Sequence, residues 1–347
     1  MKIGRDHERA VEINVPNLKQ KTLELLLQIP KGKVTTYRAL AVALGDPIAS
    51  RAVGRIMAAN EQPDYYPCYK VVHSDGRVGK YSSLEGPAEK IRRLRADGVP
   101  ITGDRISGFA QYLFNDFDSD KPLKRLSEVQ KEIVSRVSLE PDRTYRTVGG
   151  VDVSYGGTQY GGTPVAAYTG FEIETKRPFA VETLEQQINF PYIPSYLAFR
   201  ELPILVALLG KVREKDRLAD VVMVDGNGLL HQRSAGIATH LGVLLDIPTI
   251  GIAKSLLVGE MERDILETGE WSYIRVDGER RGAVVQTKAR TKPIYVSPGH
   301  RIDLATAVEL TLRLSSHKVP EPIRAAHRAS QEAVAAQRPA SGQQSLF

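Results

Sequence analysis

The sequence predicts an α/β protein of two domains, the first mainly helical and the second built on a mixed β-sheet flanked by helices. Its 347 residues are about twice the length of an ordinary domain. Short helical patterns fill the first part, whereas strand-like and helical patterns alternate in the second. A stretch rich in Gly, Asp, Ser and Pro separates them and predicts a linker. The predicted segments are a domain at 1–105, a linker at 106–124, a domain at 125–318 and a disordered tail at 319–347.

The first part shows helical spacing of its apolar residues, interrupted by Pro and Gly. The predicted helices cover 17–28, 36–44, 50–59 and 87–96. The two in the middle are joined by a tight turn, which is typical of a helix-turn-helix. Asp75-Gly76 lies between the apolar runs that precede the last helix and predicts a β-hairpin there.

The second part begins with closely spaced strand patterns and continues with alternating helices and strands. The predicted strands cover 146–155, 163–173, 178–188, 219–228 and 248–255, with three more between 272 and 297. The predicted helices cover 195–213, 234–246 and 303–315. An antiparallel set followed by β-α-β units implies a mixed sheet with helices on its faces.

The net excess of positive charge is confined to the first domain. The formal net charge is +6, and residues 1–110 hold 18 Lys and Arg against 12 Asp and Glu, whereas the remainder holds 29 of each. Such a local excess favours contact with nucleic acid; the alternative is a basic face that only maintains solubility.

Composition excludes several classes of protein. With 42% hydrophobic and 25% charged residues, the chain is globular rather than disordered. No stretch approaches the roughly 18 apolar residues of a membrane span, and the charged N-terminus does not resemble a secretory signal. The single cysteine, Cys68, excludes an internal disulfide framework and a Cys-rich zinc site. We therefore expect a cytoplasmic protein without membrane contact.

Cys68 stands in the segment PDYYPCYKVVHSDGRVGKYSS. A lone cysteine is either a small buried apolar residue or a nucleophile, and the nucleophile needs a base or a positive field to form the thiolate. Residues 16–100 resemble the active-site domain of the O6-alkylguanine-DNA alkyltransferases. The cysteine of that family's Pro-Cys-His-Arg-Val motif takes the alkyl group from a flipped guanine in a single turnover.

The resemblance extends to IPKGKVTTYRALA, SRAVGRIMAAN and VGKYSS. It implies a winged helix-turn-helix fold and alkyl transfer to Cys68 without a cofactor. It also implies that Tyr37 helps to rotate the damaged nucleotide, that Arg51 fills the gap in the base stack and that Asn60 orders the active-site turn. This role of Arg51 has a physical reason: a stacked base must be extruded before it can react, and a side chain must then replace it in the stack. The implied DNA-contacting residues of this domain are Tyr37, Arg51, Asn60, Tyr69, Tyr81 and Ser82.

One departure from the family pattern affects the chemistry. The histidine that helps to deprotonate the cysteine is Tyr69 here, and the glutamate behind it corresponds to Asp97. Tyrosine is a poor base at neutral pH because its reference pKa is about 10. Lys70 or the local backbone are the alternatives for lowering the pKa of the thiol. A domain that binds alkylated guanine without repairing it is the rival hypothesis for this part.

Acidic residues end two strand-like runs of the second domain. Asp152 ends VGGVD and Asp225 ends VVMVD, so the two side chains can converge as hard oxygen ligands, although each alone is also explained as a turn residue. Glu201 opens the long helix, and His300 precedes the last predicted one. A set of Asp, Glu and His without Cys favours Mg²⁺, with Mn²⁺ as a substitute, and suits metal-assisted hydrolysis of a phosphodiester.

Residues 125–316 resemble endonuclease V. The resemblance rests on GGVDVSY, FPYIPSYLAFRELP, VDGNGLLHQR, HLGVLLDIPTIGIAKS and YVSPGHRIDL. It implies an RNase H-like fold, a metal site at Asp152 and Asp225, and Glu201 and His300 as further catalytic residues. It also implies a wedge that separates the strands at the lesion, and a phosphate contact from Lys254. The implied DNA-contacting residues of this domain are Pro191, Tyr192, Ile193, Pro194, His231 and Lys254.

Together the two resemblances imply a bifunctional DNA-repair protein. One part nicks DNA at the second phosphodiester bond on the 3′ side of deoxyinosine, and the other removes alkyl groups from O6-alkylguanine. Its partners are double-stranded DNA and also single-stranded DNA that carries these lesions. Cleavage of inosine-containing RNA and cleavage of branched DNA are the rivals for the nuclease, and the Pro-Tyr-Ile-Pro wedge argues against branched DNA. The chain ends in QQSLF, which resembles a truncated sliding-clamp-binding peptide.

Overall fold

A computed structural model describes residues 14–141, 144–156, 163–264 and 267–337. The chain divides into two compact units. The smaller unit contains Asn14–Val129 together with Asn189–Tyr196. The larger unit contains Gln130–Ile188 and the described residues from Leu197 onward. In the described ranges, no helix has the length and apolar character needed to cross a membrane.

The smaller unit is mainly helical, as the sequence predicts. Its helices are α1 (Leu18–Leu26), α2 (Tyr37–Ala43), α3 (Ser50–Ala58), α4 (Pro87–Ala96), α5 (Phe109–Tyr112) and the first part of α6 (Pro122–Ser135). Asn17 and Thr36 cap α1 and α2, since each side chain accepts a hydrogen bond from a backbone N–H of the first turn. A 3₁₀ turn at Pro47–Ala49 joins α2 to α3. The predicted helix-turn-helix is therefore present.

Four two-residue strands complete the smaller unit and correct the predicted hairpin. They are β1 (Thr35–Thr36), β2 (Val71–Val72), β3 (Ile101–Thr102) and β4 (Arg105–Ile106). The turn at Gly76 forms, with φ +81°, and His73 N–H donates to the carbonyl oxygen of Arg77 across it at 2.9 Å, but the two flanking segments form no strand ladder with each other. Strand β2 is parallel to β1, and Arg77 bridges Arg105. A turn motif specifies only that the chain reverses. Val71 and Val72 are fully buried, and this burial determines which strand they pair with.

The segment 106–124 is not a free linker. Its helix α5 packs Phe109 and Tyr112 against the core of the smaller unit. Just beyond it, Phe114 N–H donates to the carbonyl oxygen of Val34 at 2.7 Å, and Val34 N–H donates to that of Tyr112 at 2.8 Å. The aromatic side chains explain why this segment is not a free linker. The free energy gained by packing them against the core outweighs the preference of the surrounding Gly, Asp and Ser residues for irregular structure.

The larger unit is built on a sheet of nine strands in the order β10-β11-β12-β13-β9-β8-β5-β6-β7. The strands are β5 (Thr147–Ser154), β6 (Val165–Glu172), β7 (Pro178–Glu185), β8 (Val221–Asp225), β9 (Thr249–Ala253), β10 (Glu260–Met261), β11 (Trp271–Val276), β12 (Glu279–Val285) and β13 (Ile294–His300). Strands β5, β8 and β9 are parallel to one another, and the remaining pairs are antiparallel. The predicted mixed sheet is confirmed.

Both faces of the sheet are covered. On one face, Val222 and Val224 of β8 pack against α7 (Leu197–Glu214) and α8 (Ile237–Leu245). On the other face, Val221 and Met223 belong to a second core that includes α9 (Leu304–Arg313) and Ile323. Adjacent residues of β8 alternate between the two cores because successive side chains of a strand point to opposite faces.

The predicted disordered tail contains an ordered helix, α10 (Glu321–Ala336), so that prediction is wrong for this part. The helix buries Ile323, Ala326 and Ser330 and contacts β5. Gly150 of β5 permits this approach, since a Cβ atom there would lie 2.2 Å from the backbone of Pro322. The polar composition of the segment masked a helix that is stabilised by packing rather than by its own propensity. The QQSLF ending lies outside the described residues.

Substituting Gly150 tests this packing. We expect Gly150→Ala to lower the free energy of unfolding by about 1–3 kcal/mol, because a methyl group forces α10 away from β5. Gly210→Ala is the matched control: Gly210 lies within α7 with open space at its Cβ position, so alanine there should stabilise by about 0.5–1 kcal/mol. Urea unfolding followed by circular dichroism measures both. Equal effects of the two substitutions would contradict the close packing of α10.

Candidate functional site

Two aspartates meet at the carboxyl ends of the parallel strands β5 and β8. Val151 is in register with Val224, so Asp152 and Asp225 are the next residues on adjacent strands. Asp152 is 8% exposed, and Asp225 is partly buried. The structure thus brings together the pair that the sequence predicts.

Glu201 joins this pair from α7. Its carboxylate accepts a hydrogen bond of 2.8 Å from the hydroxyl of Tyr155, and that hydroxyl accepts one of 3.0 Å from Nε of Arg200. Burial raises the pKa of Glu201 to about 7; the hydrogen bond from Tyr155 opposes the rise, and the charges of Asp152 and Asp225 add to it. A carboxyl group in this state can gain or lose a proton near neutral pH.

Positive or proton-donating side chains face both aspartates. Nζ of Lys254, just after β9, lies 2.5 Å from Oδ2 of Asp225. On α10, Nδ1 of His327 lies 2.9 Å from Oδ2 of Asp152, and the Ser330 hydroxyl donates to the same oxygen at 3.1 Å. Burial raises the pKa of Asp225, and Lys254 counteracts the rise. Each aspartate is therefore held by a partner from a different element.

His327 was missed by the sequence reasoning because the segment that holds it was assigned to the tail. A helical signal was available: Ile323, Ala326 and Ser330 are spaced by three and four residues and form the buried face of α10. His327 follows Ala326 directly and is near that face. Treating 321–336 as an amphipathic helix would have placed this imidazole against the sheet.

The carboxylate cluster suits a hard divalent cation. In the described ranges, no three His, Cys, Asp or Glu side chains converge closely enough to form a metal site by themselves. Asp152 and Asp225 nevertheless supply two adjacent carboxylates, the ligand type that Mg²⁺ prefers, and Mg²⁺ commonly takes its other ligands from water and phosphate. The raised pKa values of Glu201 and Asp225 reflect burial and crowded negative charge, which a cation would relieve. The donor set thus fits the predicted metal.

His300 does not join the cluster, and its placement among the catalytic residues is corrected. It pairs with Thr249 at the start of β9, whereas Asp225 pairs with Ile252 near the end of that strand. Three residues of strand separate these positions by about 10 Å. Nδ1 of His300 accepts from Ser138 N–H at 3.2 Å, and Nε2 lies 3.3 Å from Asp246. Because β13 is antiparallel to β9, its last residue falls at the opposite end of the sheet.

The predicted DNA-contacting residues of the nuclease part differ in exposure. His231 is 5% exposed, and its Nδ1 accepts from the backbone N–H of Arg233. Lys254 is half-exposed, and its ammonium group forms an ion pair with Asp225. In the Pro191–Pro194 segment, which belongs to the smaller unit, Tyr192 is 49% exposed while Ile193 is buried.

Cys68 begins a 3₁₀ turn, Cys68–Lys70, and is 7% exposed. Its N–H donates to the carbonyl oxygen of Tyr66 at 2.7 Å, and the Asn60 amide donates to the same oxygen at 2.9 Å. Asn60 therefore orders the turn as the sequence predicts. Tyr37 and Tyr81 adjoin the thiol: burial raises the pKa of both phenols, that of Tyr81 to about 12, and a negative charge on Cys68 adds to the rise.

Tyr69 and Asp97 are also brought together. The Tyr69 hydroxyl donates to Oδ2 of Asp97 at 3.0 Å, and Nζ of Lys70 lies 3.7 Å from that oxygen. Burial, then the carboxylate of Asp97, raises the pKa of Tyr69. These residues line a surface cavity of about 440 Å³. Arg51 and Ser82 are exposed, on α3 and in the loop before α4 respectively, where DNA can reach them.

Comparison with known proteins assigns relatives to both parts. The family profile of endonuclease V matches residues 128–328, and that of the 6-O-methylguanine DNA methyltransferase DNA binding domain matches residues 17–99. A Picrophilus torridus protein named bifunctional methyltransferase/endonuclease is 39% identical over 303 residues, which cover 87% of this chain and 92% of that protein.

Solved structures resemble the larger part. The catalytic domain of human endonuclease V is 30% identical, with a TM-score of 0.58, over 62% of this chain and 97% of its own. Endonuclease V of Ciona intestinalis, crystallised with a 24mer DNA containing an inosine followed by a ribo-adenosine, is 27% identical, with a TM-score of 0.55, over 62% of this chain and 99% of its own.

The pKa of Glu201 predicts a pH-dependent stability. Its neutral form is favoured in the folded state, so this stabilisation is complete below the usual pKa of glutamate and is lost as the pH rises through about 7. In EDTA, the free energy of unfolding of Glu201→Gln, measured relative to that of the original sequence, should therefore rise by on the order of 2 kcal/mol between pH 5 and pH 8. Thermal melts across this range measure the difference. Glu214→Gln, an exposed position of the same helix, is the control, and equal pH profiles of the two variants would refute the assignment.

Proposed function

The chain belongs to the endonuclease V family and, over most of its length, to the bifunctional methyltransferase/endonucleases, and from this we propose that it nicks DNA beside deoxyinosine and removes alkyl groups from O6-alkylguanine. The observation that carries the nuclease proposal is the meeting of Asp152 and Asp225 with Glu201 at one end of the sheet. The relative crystallised with inosine-containing DNA supports the substrate.

Endonuclease V enzymes are metal-dependent nucleases. Asp152 and Asp225 would hold the ion, which we propose to be Mg²⁺ with Mn²⁺ as a substitute. When bound, such an ion activates water and neutralises charge that develops on the phosphate. Glu201, with its pKa raised to about 7, is suited to accept a proton from the attacking water. His327 holds Asp152 in place through its hydrogen bond at 2.9 Å. The proposed cut is the second phosphodiester bond 3′ to the lesion.

Lesion recognition by the nuclease is proposed for the Pro191–Pro194 segment. Ile193 is 1% exposed and anchors the segment, whereas Tyr192 is 49% exposed between two prolines. The fixed backbone angle of proline limits the entropy that is lost when the aromatic ring inserts between bases. Lys254 is the proposed phosphate contact once it leaves Asp225.

Alkyl transfer is proposed for Cys68. Its thiolate attacks the alkyl carbon, and a carbon–sulfur bond forms as the carbon–O6 bond breaks. Guanine stays in the DNA, keeps the electron pair of the broken bond and takes a proton from solvent. Arg51, exposed on α3, would fill the gap left by the extruded base. The excess of positive charge in residues 1–110 favours binding of the DNA backbone.

Two alternatives are separable from this proposal by experiment. The engaged hydroxyl of Tyr69 favours a domain that binds alkylated guanine without accepting the alkyl group. For the nuclease, cleavage of inosine in RNA is separated from cleavage of DNA by competing both strands in one assay.

Removing the charge of one metal-binding aspartate should abolish nicking. We expect Asp225→Asn to lose activity on inosine-containing DNA with Mg²⁺, and His327→Ala to lose roughly 10- to 100-fold as a positioning residue. His300→Ala is the matched control and should stay within about threefold of the unmodified protein, since His300 lies at the other end of β9. A gel assay measures the rates. Nicking by Asp225→Asn, or a larger loss in His300→Ala than in His327→Ala, would contradict this site.

Incubation with duplex DNA containing O6-methylguanine should add one methyl group to Cys68. Intact mass and peptide mapping locate it, and Cys68→Ser is the control that should stay unmodified while it still binds the DNA. If the protein with Cys68 intact binds the lesion DNA but gains no methyl group, this part acts in recognition alone. The nicking activity of Cys68→Ser should be unchanged.

A further inference from the structure

The proposed alkyl transfer needs a thiolate at Cys68, and the Tyr69–Asp97 pair does not supply a base. The Tyr69 hydroxyl already donates its proton to Asp97. Burial keeps the pKa of this phenol above its usual value, so the phenolate that could accept a proton is disfavoured. A positive charge on another residue near the thiol can favour the thiolate instead.

Lys70 is close in sequence but is neutralised by its own partners. Its ammonium group donates to the carbonyl oxygens of Ile29 at 2.9 Å and Pro30 at 3.2 Å and lies 3.7 Å from Asp97. Its charge is thus compensated by a carboxylate that is only slightly exposed.

Lys90 of α4 is the other buried lysine of this unit in the described ranges, and it is 1% exposed. Its ammonium group donates to the carbonyl oxygen of Val71 at 2.6 Å and lies 3.5 Å from that of Lys80. Val71 directly follows the Cys68–Lys70 turn, and Lys80 directly precedes Tyr81. The ammonium group therefore joins the two segments that border the thiol, and α4 packs against the turn itself.

Charged partners of Lys90 are few. In the part of the chain that the structure describes, its ammonium group forms no ion pair with a carboxylate. The titratable group that faces Lys90 is Cys68 on the turn. Tyr37 on α2 and Tyr81 in the loop adjoin the same thiol, while Glu89 and Arg93 of α4 pair with each other at 2.7 Å. Among these groups, the thiol is the one that can provide a negative charge near neutral pH.

We propose that Lys90 is a positioning residue that holds Cys68 as a thiolate, in place of the histidine found in the alkyltransferases that this part resembles. Its ammonium group acts through space and through the Val71 segment and does not contact the substrate. The thiol proton leaves to solvent, and guanine takes a proton from solvent as the carbon–O6 bond breaks.

The proton affinity of Lys90 agrees with this arrangement. Burial lowers the pKa of Lys90 to about 8, and a negative charge on Cys68 raises it. The attraction is reciprocal, because an ammonium group that is stabilised by a thiolate stabilises that thiolate equally.

The single cysteine of the chain makes a direct test available. The rate at which iodoacetamide alkylates Cys68 is measured against pH in the full chain without DNA, with intact mass as the readout. Lys90→Gln keeps an N–H donor for Val71 but removes the charge, and Lys90→Arg keeps the charge. Lys70→Gln is the matched control at the compensated lysine.

We expect Lys90→Gln to react about tenfold more slowly at pH 7 and equally fast at about pH 10, where the thiol is ionised in both proteins. Lys90→Arg and Lys70→Gln should stay within about threefold of the unmodified protein. A rate reduced equally at every pH would indicate a structural role and overturn the proposal, as would an unchanged profile. If Lys90→Gln does not fold, Lys90→Met, an apolar side chain of similar length, replaces it with the same expectations.

This inference rests on the proposed alkyl transfer, but the two can fail separately. Absence of methyl transfer from O6-methylguanine DNA, combined with a shifted profile in Lys90→Gln, would refute the transfer and leave the role of Lys90 intact. Methyl transfer that proceeds at equal rates in Lys90→Gln and the unmodified protein would refute the role of Lys90.

Discussion

Parallel strands that are buried on both faces determine the architecture of the larger unit. Strands β5, β8 and β9 pair in parallel, and their residues pack into separate cores above and below the sheet. Parallel connections require crossovers, and the apolar faces require covering layers. Helices α7 and α8 cover one face, and α9 and α10 cover the other. The same pairing brings the carboxyl ends of β5 and β8 together, so the position of Asp152 and Asp225 follows from the condition that stabilises the fold.

Both proposed reaction centres contain buried charge that is balanced by a residue from a distant part of the chain. In the nuclease site, His327 and Lys254 face the aspartates. In the alkyl-transfer site, Lys90 adjoins the turn that carries Cys68. A buried charge without such compensation shifts its pKa or destabilises the fold. The proposed roles differ: Lys90 stabilises the charged form of the group that reacts, whereas His327 positions a carboxylate that would hold the metal.

The replacement of histidine by Tyr69 separates two roles that one residue combines in the related alkyltransferases. Tyr69 retains the hydrogen bond to the acidic residue at position 97, which joins the Cys68–Lys70 turn to the end of α4. It does not retain the ability to accept a proton near neutral pH. The buried ammonium group of Lys90 offers electrostatic stabilisation of the thiolate instead of proton transfer, and that stabilisation does not depend on a particular tautomer.

The sequence by itself determined the two-part organisation, the mixed sheet and the Asp152–Asp225 pair. These features follow from local patterns. Apolar runs predict strands, and acidic residues that end neighbouring strands are expected to lie close together. The tertiary structure decided which histidine serves Asp152, which strand pairs with Val71–Val72 and which lysine adjoins Cys68. His300 lies at the opposite end of β9, and His327 reaches the site because Gly150 lets α10 approach β5. Strand direction and helix packing are set by burial over the whole chain, so no local window of sequence contains them.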